Sequence, residues 1–494
     1  MNVAKKLINK YKALPVQVKA SIWFLVCAFF QKGISFITTP IFTRLLTTAE
    51  YGQYSVFLSW QSILTVFITL NISSGVYVQG LVKFEEDRRA FTSSLLGLTT
   101  TMVVAWGFVY WIFHEIFNRI LSLNTLQMIA MLIIIWASAM FSFWSVDQRV
   151  DFKYGKLLVL TIVVSIINPA IGIILVSIAD DNVSARIFGI AVVELIAYVG
   201  LFFSQMRKGK KFFSKKYWPY VLRFNISLLP HYLSTSVLSG ADRIMIDNMV
   251  GSSEAGIYSL AYSVSMIMTM VNAALLRTIE PWLYKKIKKN RLEDISKVAY
   301  PCLLIIAVMN LLLMAFAPEI IAVFAPADYY NAIWVIPPVS MSTYFMFAYS
   351  FFATFEFYFE KTKFISIATV LGAILNIALN YIFIKAFGYY AAGYTTLFCY
   401  IIYAVCHYLF MRRICHKELN GMMVYDVRVL IAISTGFVLF GFIFLCTYNY
   451  QILRYCLLLI MLLLVILKRE LIVSTVKAIA GIEQDKVGAG EKGA

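Results

Sequence analysis

Several ionisable residues lie inside long apolar stretches of this sequence or at their ends, where their types and spacing could support chemistry. Nine residues form this set: Lys32, Arg44, Glu194, His231, Asp242, Arg243, Asp247, Arg277 and Glu280. A charged side chain at the centre of a bilayer costs about 2.5–3.5 kcal/mol on insertion scales, so each of them requires a reason. Cations of this kind hold anionic groups or pair with acids, whereas buried carboxylates and histidines take up protons.

Lys32 lies near the middle of the first apolar stretch and has no Asp or Glu within one helical turn. Three roles stay open for it: a contact in a polar cavity, an ion pair between helices, or a lipid-facing position. Glu194 could pair with Lys32 or carry a coupling proton. His231 follows Pro230, which can open a kink, and it is either a satisfied core histidine or a cavity residue.

Two pairs of charges have helical spacing. Arg243 and Asp247 are four residues apart, and they are either helix-end charges or part of an outer gate. Arg277 and Glu280 are three residues apart at the inner end of the eighth stretch. Anchoring at the membrane interface and contact with an anionic ligand are both open for Arg277, and Arg44 is judged in the same way.

Catalytic and metal motifs are missing from the sequence. The seven Cys include no CxxC pair, the four His form no HExxH or HxxxH pattern, and no GxxxxGK[ST] loop occurs. We therefore expect no metal centre, no disulfide framework, no cofactor and no ATP-driven pump in this chain.

Composition predicts the elements that position these residues. Of the 494 residues, 61% are hydrophobic and 14% are charged, against roughly 45–50% and 25% in soluble proteins. A spanning helix needs about 20 apolar residues, and apolar windows predict an all-α membrane protein with fourteen transmembrane helices. The predicted spans are 21–42, 54–77, 93–113, 126–146, 157–178, 187–206, 224–246, 257–276, 298–317, 333–355, 364–384, 391–411, 429–447 and 452–467.

The distribution of Lys and Arg supports this map. With the N-terminus inside, 36 of the 43 basic residues fall in inside segments and six in outside segments. This asymmetry follows the positive-inside rule, so both termini are predicted to be cytoplasmic. The net charge of +17 is thereby explained by topology near anionic lipid, and no nucleic-acid partner is expected.

An internal repeat connects the two halves of the chain. Thr48–Trp60 (TAEYGQYSVFLSW) matches Ser252–Val264 (SSEAGIYSLAYSV) at an offset of 204 residues. We predict that Glu50 and its counterpart cap helix N-termini. Gly52 and its counterpart are expected to allow a tight turn between helices.

Six spans separate the two copies, so the repeat is parallel, and we expect two six-helix bundles around a central cavity plus two C-terminal helices. The predicted divisions are an N-lobe at 1–206, a basic cytoplasmic linker at 207–223, a C-lobe at 224–412, spans thirteen and fourteen at 413–470, and a cytoplasmic tail at 471–494. This architecture is typical of transporters, and the short outer segments argue against a membrane polymerase or glycosyltransferase, so no enzyme is expected.

Two segments resemble a known family. Gly33–Val56 (GISFITTPIFTRLLTTAEYGQYSV) and Ser239–Val264 (SGADRIMIDNMVGSSEAGIYSLAYSV) are similar to polysaccharide-type flippases of the multidrug/oligosaccharidyl-lipid/polysaccharide exporter (MOP) superfamily. The resemblance implies a Wzx-like flippase of the bacterial inner membrane, acting in O-antigen (lipopolysaccharide) or capsule biosynthesis. Such a protein would move an undecaprenyl-pyrophosphate-linked oligosaccharide from the cytoplasmic to the periplasmic leaflet by alternating access, with coupling to an ion gradient as a hypothesis. Its further partners would be a polysaccharide polymerase and a chain-length regulator.

The resemblance also assigns expected roles to the nine residues. The cations expected to contact the cargo are Lys32, Arg44, Arg243 and Arg277, and those expected to serve ion coupling or gating are Glu194, His231, Asp242, Asp247 and Glu280. Two alternatives within the superfamily stay open: a cation or drug antiporter, and a peptidoglycan-precursor flippase. Drug antiporters typically have twelve spans, so the extra helix pair and Lys32 favour a flippase.

Overall fold

The computed structural model describes residues 15–468 and 470, and these residues form seventeen α-helices, one 3-10 helix and no strand. The helices are α1 (Val16–Leu45), α2 (Thr48–Thr69), α3 (Gly75–Lys83), α4 (Arg88–Leu121), α5 (Thr125–Val150), α6 (Gly155–Ile178), α7 (Asn182–Gly209), α8 (Tyr217–Met249), α9 (Ser252–Ser265), α10 (Ile267–Lys288), α11 (Glu293–Ala315), α12 (Ala317–Phe324), the 3-10 helix (Ala327–Trp334), α13 (Ile336–Tyr358), α14 (Thr362–Phe387), α15 (Tyr390–Glu418), α16 (Val427–Cys446) and α17 (Gln451–Leu467). The all-α prediction is confirmed. The predicted tail at 471–494 lies outside the described residues.

Within the described part of the chain, ten helical segments are long and apolar enough to cross a membrane: α1, α4, α5, α6, α7, the α9–α10 segment (Ser252–Lys288), α11, α14, α15 and α16. The chain is therefore a multi-pass membrane protein. All fourteen predicted stretches are helical over most of their length, but α2, α8, α13 and the shorter α17 are not among the ten. Fourteen crossings and cytoplasmic termini accordingly stay predictions.

Two predicted spans are divided in the structure: 54–77, and 257–276, which is interrupted at Met266 between α9 and α10. The stretch 54–77 forms α2 and α3 instead of one helix, because Leu70 and Asn71 adopt left-handed backbone angles (φ 49° and 51°). Left-handed residues end an α-helix and satisfy its last carbonyls. Residues 70–74 therefore redirect the chain between α2 and α3.

Local sequence determines where α2 and α5 begin. The Thr47 N–H donates to Glu50 Oε2 (2.7 Å) and the Glu50 N–H donates to Thr47 Oγ1 (3.3 Å). Asn124 and Gln127 form the same reciprocal capping box before α5, which satisfies otherwise unpaired N–H groups. The predicted capping role of Glu50 is thus seen directly.

The chain divides into two compact units, Met1–Gly256 and Ile257–Ala494, and the division falls within α9. In unit 1 the most extensive packing joins α6 to α7, α2 to α8, and α5 to α7. Fully buried aromatic side chains fill part of its core, including Tyr77, Phe91 and Phe143. These helices form the frame on which the site residues of unit 1 are placed.

In unit 2 the most extensive packing joins α13 to α15, and α14 also packs along α15. The inner side chains of α13 are Tyr344, Phe347, Phe351 and Phe355, each at most 1% exposed. Large aromatic rings bury about 150–250 Å² each, so α13 forms the centre of this unit. The lobe boundaries predicted from the repeat stay a prediction.

Candidate functional site

The polar residues of α8 lie against α2 in unit 1. Asp242 is 2% exposed, and Arg243 Nη1 donates to the Ser239 carbonyl (3.1 Å) and to Ser59 Oγ of α2 (3.5 Å). The two helices approach closely at Gly240, because a Cβ at this position would lie 3.2 Å from the Ser59 Cβ. The Arg243 guanidinium therefore connects α8 to α2.

α8 also holds Asp247 near its C-terminal end and His231 in its first half, in different environments. Asp247 Oδ1 accepts a hydrogen bond from Ser252 Oγ (2.6 Å), which supports its reading as a helix-end residue. His231 is half-buried in the first half of the helix, and its buried Nδ1 has no hydrogen-bond partner among the described residues. Nδ1 of His231 therefore lacks the hydrogen bond that a satisfied core histidine would have.

The two copies of the sequence repeat meet at their helix starts, within unit 1. A Cβ on Gly52 would collide with the Ser252 carbonyl, and a Cβ on Gly256 would collide with the Thr48 carbonyl. Thr48 Oγ1 and Ser253 Oγ also share a hydrogen bond of 2.5 Å. The prediction of a tight turn at these glycines is wrong, since both lie inside helices and instead permit close contact between α2 and α9.

The predicted cations of α1 are both exposed. Lys32 forms no hydrogen bond or ion pair with another described residue, so the interhelical ion pair is not seen among them. Arg44, in the last turn of α1, donates from Nη1 to the Pro40 carbonyl (2.7 Å). Its cation is thereby placed beside the C-terminal carbonyls of the helix, where positive charge is favourable.

Glu194 of α7 is positioned by a polar neighbour on α5. Ser138 Oγ donates to Glu194 Oε2 at 2.6 Å, and the next turn of α7 carries Tyr198, whose ring stacks on Phe141. Glu194 therefore has Ser138 instead of Lys32 as its partner. A single carboxylate held by one hydroxyl in an apolar bundle is suited to proton uptake.

Arg277 and Glu280 belong to unit 2, where both are exposed on α10. Neither side chain forms an ion pair with a described residue. Among the described residues, no group of three or more His, Cys, Asp or Glu side chains could hold a metal ion.

Arg186 is a buried cation that the sequence did not single out. Its side chain is 7% exposed, and its guanidinium lies 4.2 Å from the Phe42 ring centroid and 5.4 Å from that of Tyr54. Nη1 donates to Asn168 Oδ1 (3.1 Å), and no described acid pairs with it. By the predicted spans, Arg186 lies in a segment outside the membrane. In the structure its side chain is buried within the protein, and stacking on aromatic rings compensates the cost of burying its charge.

Glu356 and His407 form a second buried feature that sequence reasoning missed. His407 Nδ1 lies 2.7 Å from Glu356 Oε1, and both side chains are 0% exposed. Rings of Tyr349 and Tyr403 surround the imidazole at 5.3 and 4.4 Å. The remaining atoms, Glu356 Oε2 and His407 Nε2, have no hydrogen-bond partner among the described residues. This pair therefore joins α13 to α15 inside unit 2.

A network of charges joins the ends of α4 and α5 in unit 1. Arg88 contacts Asp147 Oδ1 (2.7 Å) and Asp151 Oδ1 (2.6 Å), and Lys153 Nζ contacts Asp151 Oδ2 (2.8 Å). Burial raises the pKa of the Asp151 carboxyl, but hydrogen bonds from Lys153 and Arg88 outweigh this effect and hold the pKa below its usual range. The network borders an open groove of about 1210 Å³.

Comparison with known proteins relates this architecture to transporters. Residues 18–285 match the family described as polysaccharide biosynthesis protein. Among relatives, Lsg locus putative protein 1 of Haemophilus influenzae is 25% identical over 390 residues, covering 73% of this chain and 89% of the relative. An uncharacterized membrane protein of the same species is 23% identical over 377 residues, covering 72% and 88%.

Solved structures show the same fold at low identity. Lipid II flippase MurJ in an inward closed conformation superposes with a TM-score of 0.65 at 15% identity, covering 91% of this chain and all of that one. An inward-facing multidrug resistance MATE family transporter of the MOP superfamily gives 0.58 at 12% identity, covering 82% and 100%. The matched family and these neighbours are transporters, not enzymes. Because the family match covers more than half of the sequence, this chain belongs to the polysaccharide biosynthesis protein family and has the fold of the MOP superfamily.

Proposed function

We propose that this protein moves an undecaprenyl-pyrophosphate-linked oligosaccharide across the bacterial inner membrane, from the cytoplasmic to the periplasmic leaflet, by alternating access. The observation that carries the proposal is the polysaccharide biosynthesis match over residues 18–285 in a chain with the fold of a lipid II flippase. In this setting the two termini are cytoplasmic, and a polysaccharide polymerase and a chain-length regulator are the partners that receive the exported units.

Lys32 is the residue that most directly supports an anionic cargo. It is an exposed ammonium near the middle of α1, and no described acid neutralises it. An uncompensated cation at membrane depth is costly, and a pyrophosphate would offset that cost through charge-assisted hydrogen bonds. Arg44, Arg243 and Arg277 are proposed as further cargo contacts, Arg243 while bound to α2.

The test is a flipping assay in liposomes with a fluorescent undecaprenyl-pyrophosphate-linked oligosaccharide. Lys32→Ala is expected to lower the initial rate at least tenfold, whereas Lys32→Arg retains most of it. Lys156→Ala is the matched control, because Lys156 is another exposed lysine of unit 1, at the start of α6. Equal rates for Lys32→Ala and this control would remove Lys32 from the cargo path, and no flipping by the wild type would reject the function.

Coupling to a proton gradient is the second part of the proposal. It is supported by Glu194, whose single hydrogen bond comes from Ser138, and by the unpartnered Nδ1 of His231. Asp242, Asp247 and Glu280 are proposed for gating. In the same liposomes, an imposed proton gradient should accelerate flipping by the wild type and leave Glu194→Gln unaffected. Equal wild-type rates with and without the gradient would contradict proton coupling without affecting the proposed cargo.

A further inference from the structure

The end of α7 and its connection to α8 carry an unusual concentration of basic and aromatic side chains. We call six of them the basic–aromatic platform: Lys208, Lys210, Lys211, Phe212, Phe213 and Lys215. All six are exposed. The whole segment 207–223 contains seven Lys and Arg residues and no Asp or Glu.

The backbone of this connection is fixed to α4. Ser93 Oγ donates to the Lys211 carbonyl (3.0 Å), and the Lys211 N–H donates back to Ser93 Oγ (3.3 Å). Gly97 of α4 lies directly beneath the Phe212 carbonyl, where a side chain would collide. Ser214 Oγ accepts from the Tyr217 N–H (3.3 Å) and thereby turns the chain into α8.

These contacts also place the platform at the ends of two long apolar helices. α7 and α4 are both long and apolar enough to cross a membrane. Lys210 directly follows the end of α7, and Ser93 lies in the second turn of α4. The platform therefore lies beside the ends of two helices that are suited to cross a membrane.

The aromatic side chains of the platform are only partly covered by the rest of the protein. Phe212 and Phe213 are 47% and 53% exposed, although the Phe213 ring also packs edge-on against Trp218 at 4.7 Å. Lys211 Nζ lies 5.4 Å from the ring centroid of Tyr217. The positive-inside rule accounts for the lysines of this segment. It does not account for the exposed phenylalanines beside them.

Nearby acids leave most of this charge uncompensated. Asp87 is 3.7 Å from Lys216 and accepts from the Tyr217 hydroxyl (3.1 Å). None of the four platform lysines forms an ion pair with an acid among the described residues. The platform therefore presents four exposed lysines and two apolar rings on a backbone that is held against α4.

We propose that the basic–aromatic platform binds the headgroups of anionic phospholipids, with Phe212 and Phe213 inserted at the boundary between headgroups and acyl chains. Lysines near an anionic surface attract it electrostatically, and aromatic side chains favour this boundary. Because hydrogen bonds already hold the backbone of the platform, less conformational entropy is lost when lipid binds. The inference requires only that the chain is a membrane protein and holds whatever cargo it moves.

Native mass spectrometry of the full-length protein in detergent, titrated with dioleoylphosphatidylglycerol or dioleoylphosphatidylcholine, tests the proposal. The wild type is expected to retain the anionic lipid preferentially. Replacing the four platform lysines by glutamine should weaken its retention at least tenfold, since each lysine near the surface contributes about fivefold in affinity. Retention of phosphatidylcholine should not change. The Phe212→Ser/Phe213→Ser variant should weaken retention of both lipids.

The matched control removes four exposed cations elsewhere, at Lys285, Lys288, Lys289 and Arg291. This variant has the same net charge as the platform variant and should retain phosphatidylglycerol like the wild type. An equal fall in both glutamine variants would show that total charge alone governs retention and would overturn the proposal. Unchanged retention in the platform variant, with elution from size exclusion like that of the wild type, would overturn it as well.

Discussion

The buried Glu356–His407 pair offers a direct measurement of how unit 2 is held together. Both side chains are 0% exposed and share a 2.7 Å contact between α13 and α15. Removing one partner of such a pair costs about 3–5 kcal/mol, because an uncompensated polar group stays buried. Replacing both partners by apolar side chains of similar volume is often close to neutral.

The perturbation is a double-mutant cycle built from Glu356→Leu and His407→Phe. A phenyl ring suits position 407, since the imidazole already lies among Tyr349, Tyr403 and Phe364. We expect each single variant to lose about 3 kcal/mol or more, and the double variant to lose about 1 kcal/mol. The coupling energy would then be several kcal/mol, well above the additivity error of about 0.5 kcal/mol.

The assay is thermal unfolding of the purified protein in detergent, read as an apparent Tm at one scan rate. About 2–4 °C per kcal/mol applies to domains of 150–250 residues, so each single variant should fall by about 6 °C or more. The double variant should recover most of that loss. A double variant as unstable as the sum of the singles would refute the reasoning, because the two residues would then act independently.

Three further predictions concern unit 1. Gly52→Val should abolish accumulation of folded protein on size exclusion, because its side chain would meet the Ser252 carbonyl; normal folded yield would contradict this contact. Asp151 has a lowered pKa, so its stabilising effect is present above its ordinary pKa of about 3.9 and is lost as pH falls through the folded value. Asp151→Asn should therefore lower the apparent Tm at pH 7 and converge with the wild type as the pH falls below the folded pKa of Asp151, whereas a constant difference would contradict the ion pair with Arg88. Arg186→Lys should lower the Tm by about 3 °C or more through lost ring stacking, and an unchanged Tm would show that charge alone is sufficient there.

The sequence predicted those features that depend on local pattern. The apolar stretches of membrane length form helices. Glu50 caps α2 because its spacing from Thr47 is that of a capping box. The interpretation of Gly52 was wrong because it considered only the neighbouring residues in the sequence. A glycine just after a helix start suggested a turn, but its function comes from another helix 204 residues further along the chain.

The missed residues depend on tertiary packing that no local pattern encodes. Glu356 and His407 are 51 residues apart on different helices, and each looks like an isolated polar residue near the end of an apolar stretch. Arg186 was placed outside the membrane by the alternation of spans. Its long side chain is nevertheless buried because Phe42 and Tyr54 supply ring faces for the guanidinium. A buried charge is recognisable only when its partners are known.

The contact between the two copies of the repeat is reciprocal. Gly52 faces the carbonyl of Ser252, and Gly256 faces the carbonyl of Thr48, which are the equivalent positions of the two copies. A patch that is complementary to itself is what a twofold symmetric dimer requires. The starts of α2 and α9 meet in this symmetric way within one chain, because each helix supplies a glycine without a side chain and a carbonyl four residues before it to the other. A larger residue at either glycine would accordingly disturb the same contact from opposite sides.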